Sequence, residues 1–190
     1  MNKKTHEIID FLSKRRSTSY RNLVLPIPDD KEILSILKIA TRSPDYGALE
    51  PWRFLIFKKD FLANISLQID FLGKKEGLNK DLLEKQKNVF LNSPLIITVI
   101  FSPKTHVKIS RDEQLLSTGG VCLALLNACN AYGWGANWLT GWTTKQNVFL
   151  KEVLGLSQTE SVAGYIHVGT VKEKPLERKR PTIENLISWM

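Results

Sequence analysis

The stretch from Gln114 to Tyr132, QLLSTGGVCLALLNACNAY, is apolar on almost every face of a helix. A helix that is apolar all round is buried on all sides, so the stretch predicts an element at the centre of the molecule. Its Gly119–Gly120 pair lowers helix propensity, which is tolerated where another backbone or a flat ligand comes close. We therefore expect the fold to be built around this helix.

Strand patterns flank the central helix in the sequence. The clearest is Pro94 to Phe101, PLIITVIF, because it is rich in β-branched residues and has prolines at Pro94 and Pro103. Further strands are predicted at Arg53 to Lys58 (a buried strand), Gly135 to Trp138, and Val162 to Val168, which Gly169 would end.

Helical patterns fill most of the remaining chain. Asp29, followed three residues later by Glu32, resembles a capping box that begins an amphipathic helix. That helix would bury Ile33, Ile36, Leu37 and Ala40. Other helices are predicted at Thr5 to Lys14, Asp60 to Phe71, Asn79 to Phe90 and Lys145 to Leu154, the last closed by Gly155. Strands and helices mix without regular βαβ alternation, which favours an α+β fold in a single domain, residues 1–190.

Composition points to a cytoplasmic protein. Apolar residues make up 43% and charged residues 24%, and neither a membrane-spanning segment nor a signal-peptide core is expected. Cys122 and Cys129 lie seven residues apart in the central helix, about 10 Å along its axis, which is too far for a disulfide. Two buried, reduced thiols are expected.

The net charge of +8 attracts anionic partners, which include nucleic acid and phosphorylated small molecules. The basic residues are spread along the chain without a DNA- or RNA-binding motif. Charge alone therefore does not decide the function, and a basic nucleic-acid-binding module stays open as an alternative.

The segment Arg15-Arg16-Ser17 follows the first predicted helix. Guanidinium groups and a hydroxyl at such a place can grip a phosphate or a polar ring edge. The alternative is that the two arginines only complement the negative end of the helix dipole.

The stretch Thr41 to Phe54 leads from a helix through a turn into a strand. Arg42 and Tyr46 would lie four residues apart at a helix end and could point into one cavity, where a planar ligand could stack. The alternative is an ordinary connection in which Trp52 fills the core.

A third cluster, GANWLTGW, places Thr140 and Gly141 just beyond a strand, where backbone N–H groups are free to face a ligand. Its tryptophans could equally be core residues. No pair of histidines has metal-ligand spacing, and no serine lies in a nucleophile elbow, so neither a metal site nor a hydrolase triad is expected. Arginines, hydroxyls and aromatics without acid–base machinery fit a protein whose chemistry belongs to an organic cofactor.

These motifs, together with Ser93 to Ile97 and GYIHVGT…ERKRP, resemble those of the nitroreductase family, in particular its small, YdjA-like branch. The resemblance extends from about residue 6 to residue 189. It implies a nitroreductase-like fold with a small, central, mostly antiparallel sheet flanked by helices. It also implies an interlocked homodimer with an exchanged C-terminal arm and an FMN site shared between the subunits.

The resemblance also implies roles for individual residues. Arg15, Arg16 and Ser17 would bind the ribityl chain and pyrimidine edge of FMN, with Arg42 from the same region and Tyr46 from the neighbouring subunit. The other cofactor-binding residues would be Trp138, Leu139 and Thr140 beside the isoalloxazine ring, and Arg178 or Arg180 at the phosphate. The nicotinamide nucleotide would approach Ala128 to Gly133.

Two positions depart from the family pattern. Ser19 stands where many members carry Arg or Lys, and Arg21 is the candidate to replace that cation. Tyr46 stands where close relatives often have His; a phenol can stack and hydrogen-bond but does not become cationic at neutral pH.

The activity that the resemblance implies is an FMN-dependent, ping-pong transfer of electrons from NAD(P)H to a nitroaromatic or quinone-like acceptor. The chemistry would take place at flavin N5, and no protein side chain would be catalytic in its own right. A flavin-dependent dehydrogenase or dehalogenase of a specific metabolite is the alternative within enzymology, and an FMN-binding protein without turnover is a further one.

Overall fold

The polypeptide alternates irregularly between helices and short strands in a computed structural model that describes residues 2–190. The helices are α1 (Lys3–Lys14), α2 (Asp30–Ala40), α3 (Lys59–Lys75), α4 (Lys80–Leu91) and α5 (Arg111–Ala131). The strands are β1 (Leu23–Val24), β2 (Trp52–Lys58), β3 (Leu95–Phe101), β4 (Gly135–Leu139) and β5 (Ser161–Val171).

One sheet contains all five strands, and every pairing in it is antiparallel. β3 lies between β2 and β5, and β5 also pairs with β4 and, toward its C-terminal end, with β1. The predicted α+β fold with a small antiparallel sheet is confirmed. The prediction that Gly169 ends the last strand is wrong, because Gly169 pairs with Gly135 of β4 and the strand continues to Val171 beside β1.

Helices cover both faces of the sheet. Alternate residues of a strand point to opposite faces, so Leu95, Ile97 and Val99 of β3 pack in one core cluster with α2 and α5. Ile96 and Ile100 pack in the other cluster, with α3, α4 and the helical turn that follows β4. The first cluster buries one face of α5, which confirms its central position. The expectation that the helix is buried on all sides is wrong for the single chain, because Leu116 is 76% and Leu123 is 49% exposed.

The two cysteines belong to this buried face of α5. Cys122 and Cys129 are both free and fully buried. Burial raises the pKa of each thiol to about 12, so neither forms a thiolate near neutral pH.

Several local predictions can be compared with the structure. The capping box of Asp29 and Glu32 is confirmed. β2 is an edge strand in which only Phe57 is fully buried, which corrects the prediction of a buried strand. The helix predicted from Lys145 begins at residue 147, and its Phe149–Val153 part is π-helical.

Two apolar surfaces lie uncovered on the chain. Helix α1 buries none of its residues, and its apolar face exposes Ile8, Ile9 and Leu12. The C-terminal tail exposes Leu186 and Trp189. Among residues 2–190, the helices fall short of the length and apolar character needed to cross a bilayer.

His167 on β5 is the one histidine of the sheet, and it is fully buried. Its Nδ1 is hydrogen-bonded to the Ser93 hydroxyl, and its Nε2 has no partner within residues 2–190. Desolvation lowers the pKa of the imidazole to about 3, so the folded protein holds it neutral. A buried, neutral imidazole bonded to Ser93 supports a structural role for His167.

We expect His167 to make the folded protein progressively less stable as the pH falls from about 6.5 toward 3. In that range the unfolded chain protonates the imidazole and the folded protein does not. The contribution amounts to about 2 kcal/mol between pH 7 and pH 5. Urea unfolding at both pH values measures it, and His167→Asn should show a smaller pH dependence than the wild type. An equal pH dependence in both proteins, or an NMR titration in which His167 protonates near pH 6.5, would contradict the assignment.

Candidate functional site

The loop after α1 is attached to the sheet at β4. The Thr18 amide donates a hydrogen bond of 2.9 Å to the Ala136 carbonyl. Neighbouring Gly135 leaves no room for a side chain, since a Cβ there would lie 2.6 Å from Val171 and 2.7 Å from Leu23. The sequence thus folds so that Arg15, Arg16 and Ser17 lie beside the strand that leads to Trp138.

A cavity of about 450 Å³ opens at this junction. Four cationic side chains line it, those of Lys14, Arg15, Arg16 and Lys174, and no carboxylate is among its lining residues in the described chain. The C-terminal end of α5 contributes Asn130 and Gly133. The cavity therefore combines positive charge with the segment Ala128 to Gly133 that the sequence singled out.

Arg15 carries a buried hydrogen-bond donor in this cavity. Its Nη1 atom is buried and has no hydrogen-bond partner within residues 2–190. A buried donor without a partner is costly, and a guanidinium more so, because burial strips it of water. This orphaned donor indicates a place where an anionic or carbonyl-bearing ligand binds.

The C-terminal tail folds back onto Arg16. Its Nη1 donates to the Leu176 carbonyl and lies 3.4 Å from the Glu177 carboxylate. Arg180 also pairs with Glu177, at 3.0 Å. The backbone N–H of Arg178, followed by the charges of Arg180 and Arg16, lowers the pKa of the Glu177 carboxyl. The tail thus brings Arg180 to the rim of the cavity, whereas the side chain of Arg178 makes no hydrogen bond or ion pair within the described chain.

Trp138, Leu139 and Thr140 lie along the end of β4. The Trp138 indole crosses β5 above Gly164, and its Nε1 donates to the Ala163 carbonyl at 3.1 Å. Leu139 is half-buried and Thr140 is exposed. These residues form a wall at the edge of the sheet, ending in a loop that is free to face a ligand.

Glu76, at the end of α3, fixes the loop that follows this wall. Its carboxylate accepts hydrogen bonds from Trp142 Nε1 at 3.0 Å and from Gln146 Nε2 at 2.8 Å. No local sequence pattern identifies Glu76, because its partners lie 66 and 70 positions further along the chain.

Arg42 and Tyr46 occupy a different part of the molecule. Helix α2 ends at Ala40, so the expectation that both residues lie at one helix end is wrong. Tyr46 is 70% exposed, in a 3₁₀ turn. The cleft beside this turn, about 580 Å³, is lined by neighbours of the two residues, among them Ser43 and Asp45.

The segment around Tyr46 packs against the first half of α5. The Ser117 hydroxyl donates to the Pro44 carbonyl, and Gly120 faces Ser43. Asn130, which lines the cationic cavity, is thirteen residues beyond Ser117 on α5. At the rise of an α-helix this separates the two residues by about 20 Å. One chain therefore brings together Arg15, Arg16, the beginning of β4 and the tail, but it leaves Tyr46 at the far end of α5.

The cavity's chemistry is that of ligand binding. Its lining offers four cations, the Asn130 side-chain amide and the ring of Phe11, and no group of three His, Cys, Asp or Glu residues in the described part of the chain could hold a metal ion. The fold and cavity define an α+β protein with a cationic cavity at the C-terminal end of its central helix. The chain belongs to the Nitroreductase family, whose sequence profile matches residues 12–170.

Individual relatives agree in fold and length. YdjA of Escherichia coli strain K12, provisionally named an NAD(P)H nitroreductase, is 28% identical over 168 residues, which cover 88% of this chain and 90% of YdjA. A nitroreductase-like protein from Bacillus cereus superposes with a TM-score of 0.79 at 21% identity, over 96% of this chain and 95% of the other. A provisionally assigned nitroreductase from Desulfovibrio desulfuricans, solved in complex with FMN, gives 0.71 at 20% identity, over 96% of each chain.

We expect Gly164→Ala to disrupt the Trp138 wall. A Cβ at Gly164 would lie 2.0 Å from Trp138 Nε1 and 2.4 Å from its Cδ1, so the indole must leave its place. Overpacking of this kind costs about 1–3 kcal/mol. Urea unfolding and tryptophan fluorescence measure the two effects. In a Trp138→Ala background the same substitution should cost much less, and an equal cost in both backgrounds would refute the proposed clash.

Proposed function

We propose that this protein is an FMN-dependent oxidoreductase that moves electrons from NAD(P)H to a small organic acceptor, nitroaromatic or quinone-like, by a ping-pong mechanism. The observation that carries the proposal is the buried, unpartnered Nη1 of Arg15 in a cavity lined by cations. Family membership and the FMN bound by the Desulfovibrio desulfuricans relative support the identity of the ligand.

FMN matches the donors of the cavity. Its phosphate is anionic and the pyrimidine edge of its ring carries carbonyl oxygens, so it offers acceptors to Arg15, Arg16 and Ser17. The chemistry that FMN supplies when bound is the acceptance of a hydride and the delivery of its electrons to a second substrate. Guanidinium groups at the pyrimidine edge would stabilise the negative charge that the reduced ring carries.

The side chains of this chain would bind and orient, and none would act as a nucleophile. Trp138, Leu139 and Thr140 would form the wall beside the flavin ring. The nicotinamide nucleotide would approach the segment Ala128 to Gly133, whose Asn130 and Gly133 line the cavity. Both substrates would use one face in turn, which is the basis of the ping-pong order.

The active form would be a homodimer with two shared sites. In one chain Tyr46 lies about 20 Å along α5 from the cavity, so a second copy would supply Tyr46. Arg42, which the family resemblance placed with Arg15 and Arg16, is only four residues from Tyr46 and would come from the second copy as well. The exposed apolar residues on α1 and on the C-terminal tail favour such an interface, because a partner that covers them removes apolar surface from water. The tail would form the arm that reaches the partner. The free, buried cysteines support a cytoplasmic location.

Arg180 is the better candidate for the FMN phosphate. Its ion pair with Glu177 holds it near Arg16, whereas the side chain of Arg178 has no such link in the described chain. Arg16 and Arg180 would exchange the Glu177 carboxylate for the phosphate when the cofactor binds.

The purified protein should be yellow, and its flavin absorbance should bleach anaerobically on addition of NADPH or NADH. Readdition of an acceptor such as a quinone should restore the colour. A coloured protein that neither nucleotide bleaches would be a binding protein without turnover. A colourless protein that binds RNA in a salt-sensitive manner would refute the enzyme and favour the nucleic-acid-binding alternative.

Arg16→Ala and Arg180→Ala should each weaken FMN binding about tenfold or more, because each removes a charge-assisted hydrogen bond. Arg178→Ala is the matched control, since it removes the same charge two residues away and should bind FMN like the wild type. Fluorescence titration of the apoprotein with FMN gives the three dissociation constants. Equal affinities for all three variants and the wild type would remove both arginines from the site.

A further inference from the structure

A second cavity, of about 320 Å³, lies at the N-terminal end of α5. The loop that joins β3 to α5 forms one wall, and Thr159 before β5 closes the other. Lys104, His106 and Arg111 line it, and no carboxylate is among its lining residues in the described chain. Nothing in the proposed flavin site uses this cavity.

The loop of the cavity is held in one conformation by the buried side chain of Gln114. Gln114 Oε1 accepts from the Lys104 amide at 2.8 Å, and its Nε2 donates to the Lys104 carbonyl at 2.9 Å. These two bonds tie the backbone of Lys104 to α5. The loop is therefore preorganised, which lowers the entropic cost of binding a ligand.

Arg111 is fixed in a similar way. Its guanidinium lies 4.7 Å from the centre of the Phe101 ring, and its Nη2 donates to the Thr159 carbonyl at 3.1 Å. Neither Arg111 nor Lys104 forms an ion pair with a carboxylate of residues 2–190. Of the nearby acids, Glu113 is engaged with Ser110 and Glu160 with Arg53, and Asp112 is not among the residues that line the cavity.

His106 adds an oriented donor. Its Nδ1 accepts hydrogen bonds from the amides of Lys108 at 3.1 Å and Ile109 at 3.0 Å. The proton of the neutral ring must then lie on Nε2, which makes that atom a donor. The cavity thus presents two uncompensated positive charges and a fixed N–H, a set that suits a phosphate group.

The cavity adjoins the turn that carries Tyr46. The Ile109 side chain lines the cavity, and its Cδ1 lies 2.7 Å from the position that a Cβ on Gly47 would take. In the proposed dimer that turn reaches the flavin site of the other subunit. The cavity would then open beside the place where the nicotinamide nucleotide is oxidised.

We propose that this cavity binds a phosphate group of the nicotinamide nucleotide, through Lys104, Arg111 and the Nε2–H of His106. The inference rests on the proposed function for the identity of the nucleotide. In this arrangement one subunit would receive the nicotinamide nucleotide at its segment Ala128 to Gly133. The partner subunit would bind a phosphate group of the same nucleotide in this cavity.

Steady-state kinetics with NADPH and NADH test the proposal. Lys104→Ala should raise KM about tenfold, as the loss of one charge-assisted hydrogen bond does. Lys108→Ala is the matched control, because it removes the same charge from the same loop but does not line the cavity. If Lys104→Ala raises the KM for NADPH alone, the cavity binds the 2′-phosphate. If it raises the KM for NADPH and NADH equally, the cavity binds the pyrophosphate. KM values for Lys104→Ala that match those of Lys108→Ala overturn the proposal.

Calorimetric binding of 2′,5′-ADP provides a readout that does not depend on turnover. The wild type and Lys108→Ala should bind it about tenfold more tightly than Lys104→Ala does. Equal binding by all three overturns the phosphate site. A protein that binds 2′,5′-ADP through Lys104 but never takes up FMN would overturn the oxidoreductase and leave the phosphate site standing, so the two failures are distinguishable.

Discussion

The packing of α5 against one face of the sheet is the constraint on which the rest of the molecule depends. Val121, Cys122, Leu125 and Cys129 are fully buried there, so the helix has a single position relative to β3 and β5. Because α5 is 21 residues long, its two ends hold two separate cavities apart at fixed places. Its C-terminal end meets the arginines that follow α1, and its N-terminal end holds the loop of Lys104.

The sequence predicted those elements whose patterns are local. The apolar α5, the β-branched β3 and the capping box of α2 needed no information beyond a dozen neighbouring residues. It did not predict the continuation of β5 through Gly169, because that depends on β1 and β4, which pair with it from distant parts of the chain. The edge position of β2 is likewise a property of the sheet, since an apolar strand reads the same at the edge and at the centre.

The residues of the candidate site also fall into two groups, those with a local sequence pattern and those whose role depends on distant partners. Arg15, Arg16 and the end of β4 were recognisable as motifs, and the structure brings them together through the bond between Thr18 and Ala136. Glu76 was not recognisable, because a lone Glu at a helix end has no pattern and gains its role only from Trp142 and Gln146. The net charge of +8 was uninformative as a sum. It gains meaning from the two cavities whose linings hold cations without carboxylates.

The placement of Tyr46 is what makes a second copy of the chain necessary to the proposed site. The length of α5 separates Tyr46 from Arg15 within one chain. Since the turn around Pro44 is bonded to α5 at Ser117, a rearrangement of that turn does not remove this separation. In a two-fold symmetric pair, any contact of Tyr46 with the other subunit's cavity occurs twice, so both sites are completed by the same interface. The exposed faces of α1 and the tail then have a common explanation, since burying them is what would hold Tyr46 in reach of the cavity.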